Sequence, residues 1–397
     1  MSNFVEMLYR QLLVLCGVER CLFGNGKELH FKKLMDFDTI GGKSNKNGAR
    51  FDLDAMYVNW LGLSLKCYLP KSENSLSYVW ESLKGKISYC NIKRLMFSSG
   101  WRYYAEIVVS GAAPTRVSIG TSTMGIDPGV STIAGVSEDA CVLEELAPNA
   151  IQYEKKIQKI SQSMDRSRRI SNPNKYNEDG TINRSNRDPW KYSKNYVKMC
   201  RLLKSLYRKK HAYIVDSHRK LCNKLITIAK YFPVEKMHFQ ALQKRAKETK
   251  RQEKKTEVKQ KDGTVKVIQK YKRKKRFGRS INRRAPARFL LELKRKAEAV
   301  GGVYAEVDTK EFKASQYNHV TDTYEKIPLS QREKEIGKRK VQRDLYSAFL
   351  IRNADLDFKH PDREKCEYEF EYFANLQDQL ILKMKESGLS MRQCFGF

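Results

Sequence analysis

Apolar residues recur at helical spacing through Phe4, Leu8, Leu12, Leu15 and Val18, which predicts a helix over residues 1–22. The period then shortens. Val58 to Leu63, Ser64 to Leu69, Tyr89 to Lys93 and Trp101 to Val109 are short runs of alternating character, with Ser98-Ser99-Gly100 as a hairpin turn. Strands this short and close together predict a small barrel or sandwich. Trp60, Trp101, Tyr103 and Tyr104 are interleaved there with Lys and Arg; most belong to a core, and one or two suit stacking on bases. At residue 124 the texture changes. Met124 to Val130 and Ser131 to Val136 predict a buried strand, a tight Pro-Gly turn and a second strand. Further along, 150–163 reads as helix, 171–189 as loop, and about 190–229 as a long basic helix. Tyr231 to Met237 reads as a strand, Pro286 to Val300 as an amphipathic helix, and Val303 to Val307 as a strand. Residues 311–341 are irregular and charged, Val341 to Asn353 is a helix, and the chain beyond Pro361 is helical and acidic. The alternation after residue 124 predicts an α/β layer fold.

Charge adds what periodicity cannot. The 397 residues carry 77 Lys+Arg against 45 Asp+Glu, a formal net charge of +32. A chain this basic repels itself unless a polyanion neutralises it, and nucleic acid is the natural one because each neutralised phosphate releases condensed cations. Residues 244–280 concentrate the excess, with 17 Lys/Arg against 4 acidic residues. Such a run is ordinarily a solvated face, but it follows an apolar strand that carries an acid, which makes it a candidate phosphate contact. No apolar stretch is long enough to span a bilayer, and nothing resembles a cleavable leader. The nine cysteines include no CxxC pair, which argues against a disulfide framework or a Cys-rich zinc site and predicts a reducing cytoplasm.

Three acids stand in special contexts. Asp127 ends an apolar strand between Gly125 and Gly129, Glu235 lies on a second apolar strand, and Asp344 follows Arg343 at a helix start. They fall roughly a hundred residues apart, each on an element that an α/β layer fold supplies. Taken singly each has an ordinary explanation: Asp favours tight turns, and an acid at a helix N-terminus caps it. Taken together, carboxylates on adjacent strands and a facing helix repel one another unless a divalent cation neutralises them. Two such cations activate water and stabilise the leaving oxygen in phosphodiester cleavage.

Gly125-Ile126-Asp127-Pro128-Gly129-Val130-Ser131-Thr132 resembles the first RuvC motif of the transposon-encoded TnpB family. Val234-Glu235-Lys236-Met237-His238-Phe239 with Leu242-Gln243-Lys244-Arg245 resembles the second. Gln342-Arg343-Asp344-Leu345-Tyr346-Ser347-Ala348 resembles the third. Ala314-Ser315-Gln316, Leu329-Ser330-Gln331-Arg332, Gly42-Lys43-Ser44-Asn45 and Trp101-Arg102-Tyr103-Tyr104 resemble further landmarks, so the likeness covers about residues 22–353. It implies an RNase H-like (RuvC-type) nuclease domain over 122–354, with a basic insertion at 244–280 and a degenerate zinc-ribbon-like insertion at 311–341. A wedge-like β-barrel over 23–121 precedes it, residues 1–22 stand for a truncated recognition part, and 355–397 form a helical tail. The family, like the related type V CRISPR effectors, uses an RNA guide to select double-stranded DNA for cleavage beside a short flanking motif.

The resemblance further implies Asp127, Glu235 and Asp344 as ligands of Mg2+ or Mn2+, and Arg332 at the scissile phosphate or the leaving group. Lys236 and Arg343 stand behind these ligands. Lys43, Asn45, Arg102, Arg208, Lys209, Lys272, Arg273, Lys274, Lys275 and Arg276 are candidate nucleic-acid contacts. Three departures mark this chain. Residues 312–341 lack the zinc-ribbon cysteines and His319 alone cannot bind zinc, so no zinc is expected. Gln342 replaces an Asp and Tyr346 an Asn in the third motif, and only about twenty residues precede the barrel. The rivals are an RNA-guided DNA-binding repressor that does not cut, a strand-transferring transposase, and an unguided RNase H or junction resolvase.

Overall fold

The computed structural model describes residues 37–178, 180–243, 251–259, 264–271, 277–328 and 330–389. The helix expected over 1–22 and the cations Lys272 to Arg276 lie outside these residues. The chain divides into two compact units: residues up to 114 together with 164–208, and 115–163 together with 209 onward.

The first unit holds β1 (Thr39–Gly41), β2 (Arg50–Asp52), β3 (Tyr57–Trp60), β4 (Leu63–Lys66), α1 (Glu73–Leu83), β5 (Ile87–Phe97) and β6 (Gly100–Val109). The strands make two antiparallel three-stranded sheets, β1-β5-β6 and β2-β3-β4. Among the described residues no ladder joins the sheets into the barrel anticipated above. The β3–β4 turn is Leu61-Gly62, with φ of 48° and 80°. Two positive φ values at the centre of a two-residue hairpin match the right-handed strand twist. The turn cuts the run read as a strand from Val58 to Leu63. Helix α1 was not anticipated, although Leu76, Val79 and Leu83 keep helical spacing. Leu83 packs with Ala49, Phe51, Val58 and Cys90 in this unit's core.

The second unit is built on one sheet. Its strands are β7 (Ser122–Thr123), β8 (Gly125–Pro128), β9 (Thr132–Val136), β10 (Cys141–Glu145), β11 (Ala229–Glu235) and β14 (Val303–Val307), in the order β10-β9-β8-β11-β14, with β7 also beside β11. β8, β9 and β10 form an antiparallel meander, whereas β11 runs parallel to β8 and to β14. Two helices, α2 (Ala150–Ser171) and α3 (Lys194–Ile228), link β10 to β11, and their stretch 164–208 belongs to the first unit. After β11 come α4 (Phe239–Gln243), the antiparallel hairpin β12 (Arg251–Lys259) and β13 (Val265–Tyr271), α5 (Gly278–Arg284) and α6 (Pro286–Ala299). The described part of the 244–280 run is thus a hairpin and a helix, not a featureless chain. The irregular 311–341 region follows α7 (Thr309–Phe312) and forms two small hairpins, β15 (Tyr317–Asn318) with β16 (Thr323–Tyr324), and β17 (Glu333–Ile336) with β18 (Arg339–Gln342). Helices α8 (Arg343–Arg352) and α9 (Arg363–Glu386) complete the unit.

Strand alternation divides the core between the two faces of the sheet. On one face Ile126, Ile133, Val142, Phe232 and Val234 pack with Leu225 of α3 and with Phe289 and Leu293 of α6. On the other, Ala134, Val136 and Leu143 pack with Leu345, Tyr346, Phe349 and Leu350 of α8 and with Phe370 and Phe373 of α9. From Leu345 onward α8 is buried on every side, as its mostly apolar sequence demands. The expected separate tail is instead part of this core: Cys366, Phe370 and Phe373 of α9 belong to it, and the Gln377 side chain accepts from Gln342 N at 2.7 Å and donates to Lys340 O at 3.2 Å.

Candidate active site

Ile126 and Val234 are register partners on parallel strands, and both point to the α6 face. The next residue on each strand must face the other way, so Asp127 and Glu235 stand side by side towards α8. The first turn of α8 brings Asp344 to the same end of the sheet. This helix lies unusually close to β8. A Cβ on Gly125 would sit 2.2 Å from Ala348 O and 2.3 Å from Arg352 N. Gly125 is therefore needed for helix-to-strand contact, the close backbone approach that a glycine beside Asp127 permits.

The electrostatics follow from the crowding. Burial, then the charges of Glu235 and Asp344, hold the Asp127 carboxyl well above the ordinary range, with Arg343 pulling the other way. Burial raises Glu235 as well, aided by the charge of Asp344 and opposed by hydrogen bonds with Asp127 and Thr309. Thr309 Oγ1 donates to Lys236 O at 2.6 Å, tying the start of α7 to the end of β11. Thr309 had no motif to flag it.

Asp344 is neutralised differently. Arg343 donates to its Oδ1 through Nε at 3.0 Å and Nη2 at 2.8 Å, and Arg332 donates to Oδ2 through Nη1 at 3.2 Å. Arg343 is buried, whereas 46% of the Arg332 side chain is exposed. The β17–β18 hairpin sets this pairing: Arg343 N donates to Arg332 O at 2.8 Å across its foot. Gln342, in place of the family's Asp, still caps α8, its side chain accepting from Leu345 N at 2.7 Å. As placed, no three His, Cys, Asp or Glu side chains among the described residues are spaced to hold a metal ion. The three acids converge, but Asp344 is turned to guanidinium groups. Their all-oxygen donor set suits a hard divalent cation, whose charge would offset the crowding of the three carboxylates.

The other candidates separate. Lys236 reaches Glu306 at 3.1 Å, away from the acids. Lys43 and Lys209 are exposed. Asn45 is structural: its side chain accepts from Phe51 N at 2.7 Å and donates to Phe51 O at 3.0 Å. Arg102 and Arg208 lie over the Phe97 ring, at 4.6 and 3.8 Å from its centroid, and Arg208 also donates to Met96 O at 3.1 Å. Trp101 sits under Arg94 and Lys204, which leaves Tyr103, 68% exposed, as the freest ring of that hairpin. His319 is a core residue, its Nδ1 2.8 Å from Tyr346 Oη and its ring against Phe370. Lys334 lies over the Tyr346 ring and donates to Tyr317 O at 2.6 Å. Tyr346 thus ties the 311–341 hairpins to α8.

No protein-family model matches the chain, and no curated protein matches it. Similar solved structures include a cryo-EM structure of a Cas12f1–sgRNA–target DNA complex. Identity there is 12% and TM-score 0.42, covering 72% of this chain and 48% of that one. A second is a CRISPR-Cas12f ternary complex, at 15% identity and TM-score 0.34, covering 72% of this chain and 50% of that one. The chain spans about half the length of the chains it matches. No helix among the described residues is long and apolar enough to cross a membrane.

Proposed function

We propose that this chain is an RNA-guided DNA endonuclease with an RNase H-like, RuvC-type site. The observation that carries the reading is the meeting of Asp127, Glu235 and Asp344 from two parallel strands and one facing helix, on a sheet whose antiparallel meander is followed by two parallel strands. The three motif resemblances fall on those same elements, and the net charge of +32 suits guide RNA and target DNA as partners. Asp127, Glu235 and Asp344 would hold Mg2+, which would supply water activation and stabilisation of the leaving oxygen. Arg332, half-exposed and within hydrogen-bond reach of Asp344, is suited to pairing with a phosphate oxygen. Arg343 is buried and orients Asp344.

A second reading, an RNA-guided DNA-binding repressor, draws on the pairing of Asp344 with two arginines. The test is cleavage of a labelled duplex with the chain's own copurified RNA. Asp127→Ala, Glu235→Ala and Asp344→Ala should each lower cleavage by orders of magnitude while leaving binding near wild type, and a double variant should be little worse than a single one. Near wild-type cutting by Asp127→Ala refutes the assignment. Guided binding by the wild type without cutting in Mg2+ or Mn2+ moves the conclusion to the repressor.

A further inference from the structure

We propose that the tip of the α2–α3 hairpin, residues 164–201, is a binding surface for the backbone of a nucleic-acid duplex; this rests on the nucleic-acid partners proposed above. Residues 164–208 contain twelve Lys and Arg against four acidic residues. The stretch expected to be plain loop is a built knot. The Asn172 side chain is buried, donates to the carbonyls of Arg168 at 2.9 Å and Lys191 at 2.8 Å, and accepts from Lys191 N at 2.7 Å. Lys175 is buried and donates to Asn186 O at 2.8 Å. Arg168 and Lys175 lie over Trp190 at 5.3 and 5.5 Å, and Arg169 over Tyr176 at 4.5 Å. Asp165 is taken up by Arg168 and Arg169.

This framework holds Arg184, Arg187, Lys191, Lys194, Lys198 and Arg201, all exposed and none ion-paired among the described residues. Lys194, Lys198 and Arg201 share one face of α3 by helical period, over roughly 10 Å of its axis. Six solvated cations on a rigid frame repel one another, and a polyanion removes that cost. The occupant follows from what the rings do. A site for single strands pairs cations with aromatic platforms for unstacked bases. Here Tyr176 and Trp190 hold internal cations, and Tyr192 is stacked on Tyr196 at 4.6 Å, so a duplex backbone is the better fit. Arg102, Arg208 and Asn45 are engaged internally, whereas the tip gathers six exposed cations on one frame.

The test is fluorescence anisotropy of the full chain with a short duplex DNA across a salt series, with an equal-length single strand in parallel. Two triples, K194Q/K198Q/R201Q and R184Q/R187Q/K191Q, are compared with K365Q/K383Q/K385Q, which removes the same charge from exposed positions of α9. Each tip triple should flatten the slope of log affinity against log salt by roughly 0.9 for every phosphate that the variant no longer neutralises, and weaken duplex binding at least roughly tenfold at moderate salt. The control should change either by far less. Tip triples indistinguishable from the control overturn the proposal, as does a loss confined to the single strand. Where a triple melts early by circular dichroism, the single variants R201Q and R187Q carry the comparison. Neither a guide nor a cleavage readout enters this test, so a wild type that binds no duplex overturns the surface alone, while the nuclease reading stands or falls on the guided cleavage assay.

Discussion

Gly125→Ala probes the packing that brings the three acids together. The added Cβ would meet Ala348 O at 2.2 Å and Arg352 N at 2.3 Å, against an ordinary contact of 3.4 Å or more, so α8 and β8 must part by about 1.2 Å. Both obstructing atoms are backbone, so no side chain can rotate out of the way. The helix is buried on all sides from Leu345 onward and wedged against α9. Overpacking of this kind costs about 1–3 kcal/mol. In a unit of this size that lowers the midpoint of thermal unfolding by roughly 2–10 °C. The functional effect should be larger, because α8 carries Asp344 while β8 carries Asp127, and a displacement of about 1 Å in a catalytic constellation costs on the order of a hundredfold in rate. Thermal unfolding by circular dichroism and the guided cleavage assay read the two quantities separately. An Ala variant that melts with wild type refutes the close helix–strand contact. One that melts early but cuts at the wild-type rate refutes the assignment of Asp127 and Asp344 to one site.

Tyr346→Phe leaves the buried His319 ring and its backbone N–H without their common partner; a stability loss of about 1–3 kcal/mol in urea unfolding is expected, and an unchanged midpoint would remove Tyr346 as the tie between the hairpins and α8. Burial lowers both His218 and His319 to about 4, from an ordinary 6.5. The unfolded chain therefore binds protons that the folded chain refuses, so stability contributed above pH 6.5 is lost as pH falls towards 4, by on the order of 3 kcal/mol per residue. His319→Gln should make the unfolding free energy fall less steeply over that window, and an identical pH slope would count against the buried neutral histidine.

Local pattern is enough to locate β8, β9, β11, β14 and α6, because strand and helix periods are written in neighbouring residues. The same alternation that buries Ile126 and Val234 on one face commits Asp127 and Glu235 to the other, so the separation of acids from core was legible before any pairing was known. Helix α1 escaped notice because its apolar positions are few and lie between strand-like runs, where short segments read ambiguously. What only the tertiary structure decided is which distant elements share a surface. The pairing of β8 with β11 and the approach of α8 to Gly125 join residues far apart in the chain, and the β17–β18 hairpin brings Arg332 back to Asp344. The fate of the cations is decided there too: Arg102 and Arg208 sit on the Phe97 ring, while Arg184 to Arg201 stay in solvent. A cation's place in the sequence does not say whether a ring, a carboxylate or water will be its neighbour, because that competition is settled only when the chain has closed on itself and each charge has found the partner that best offsets its lost hydration.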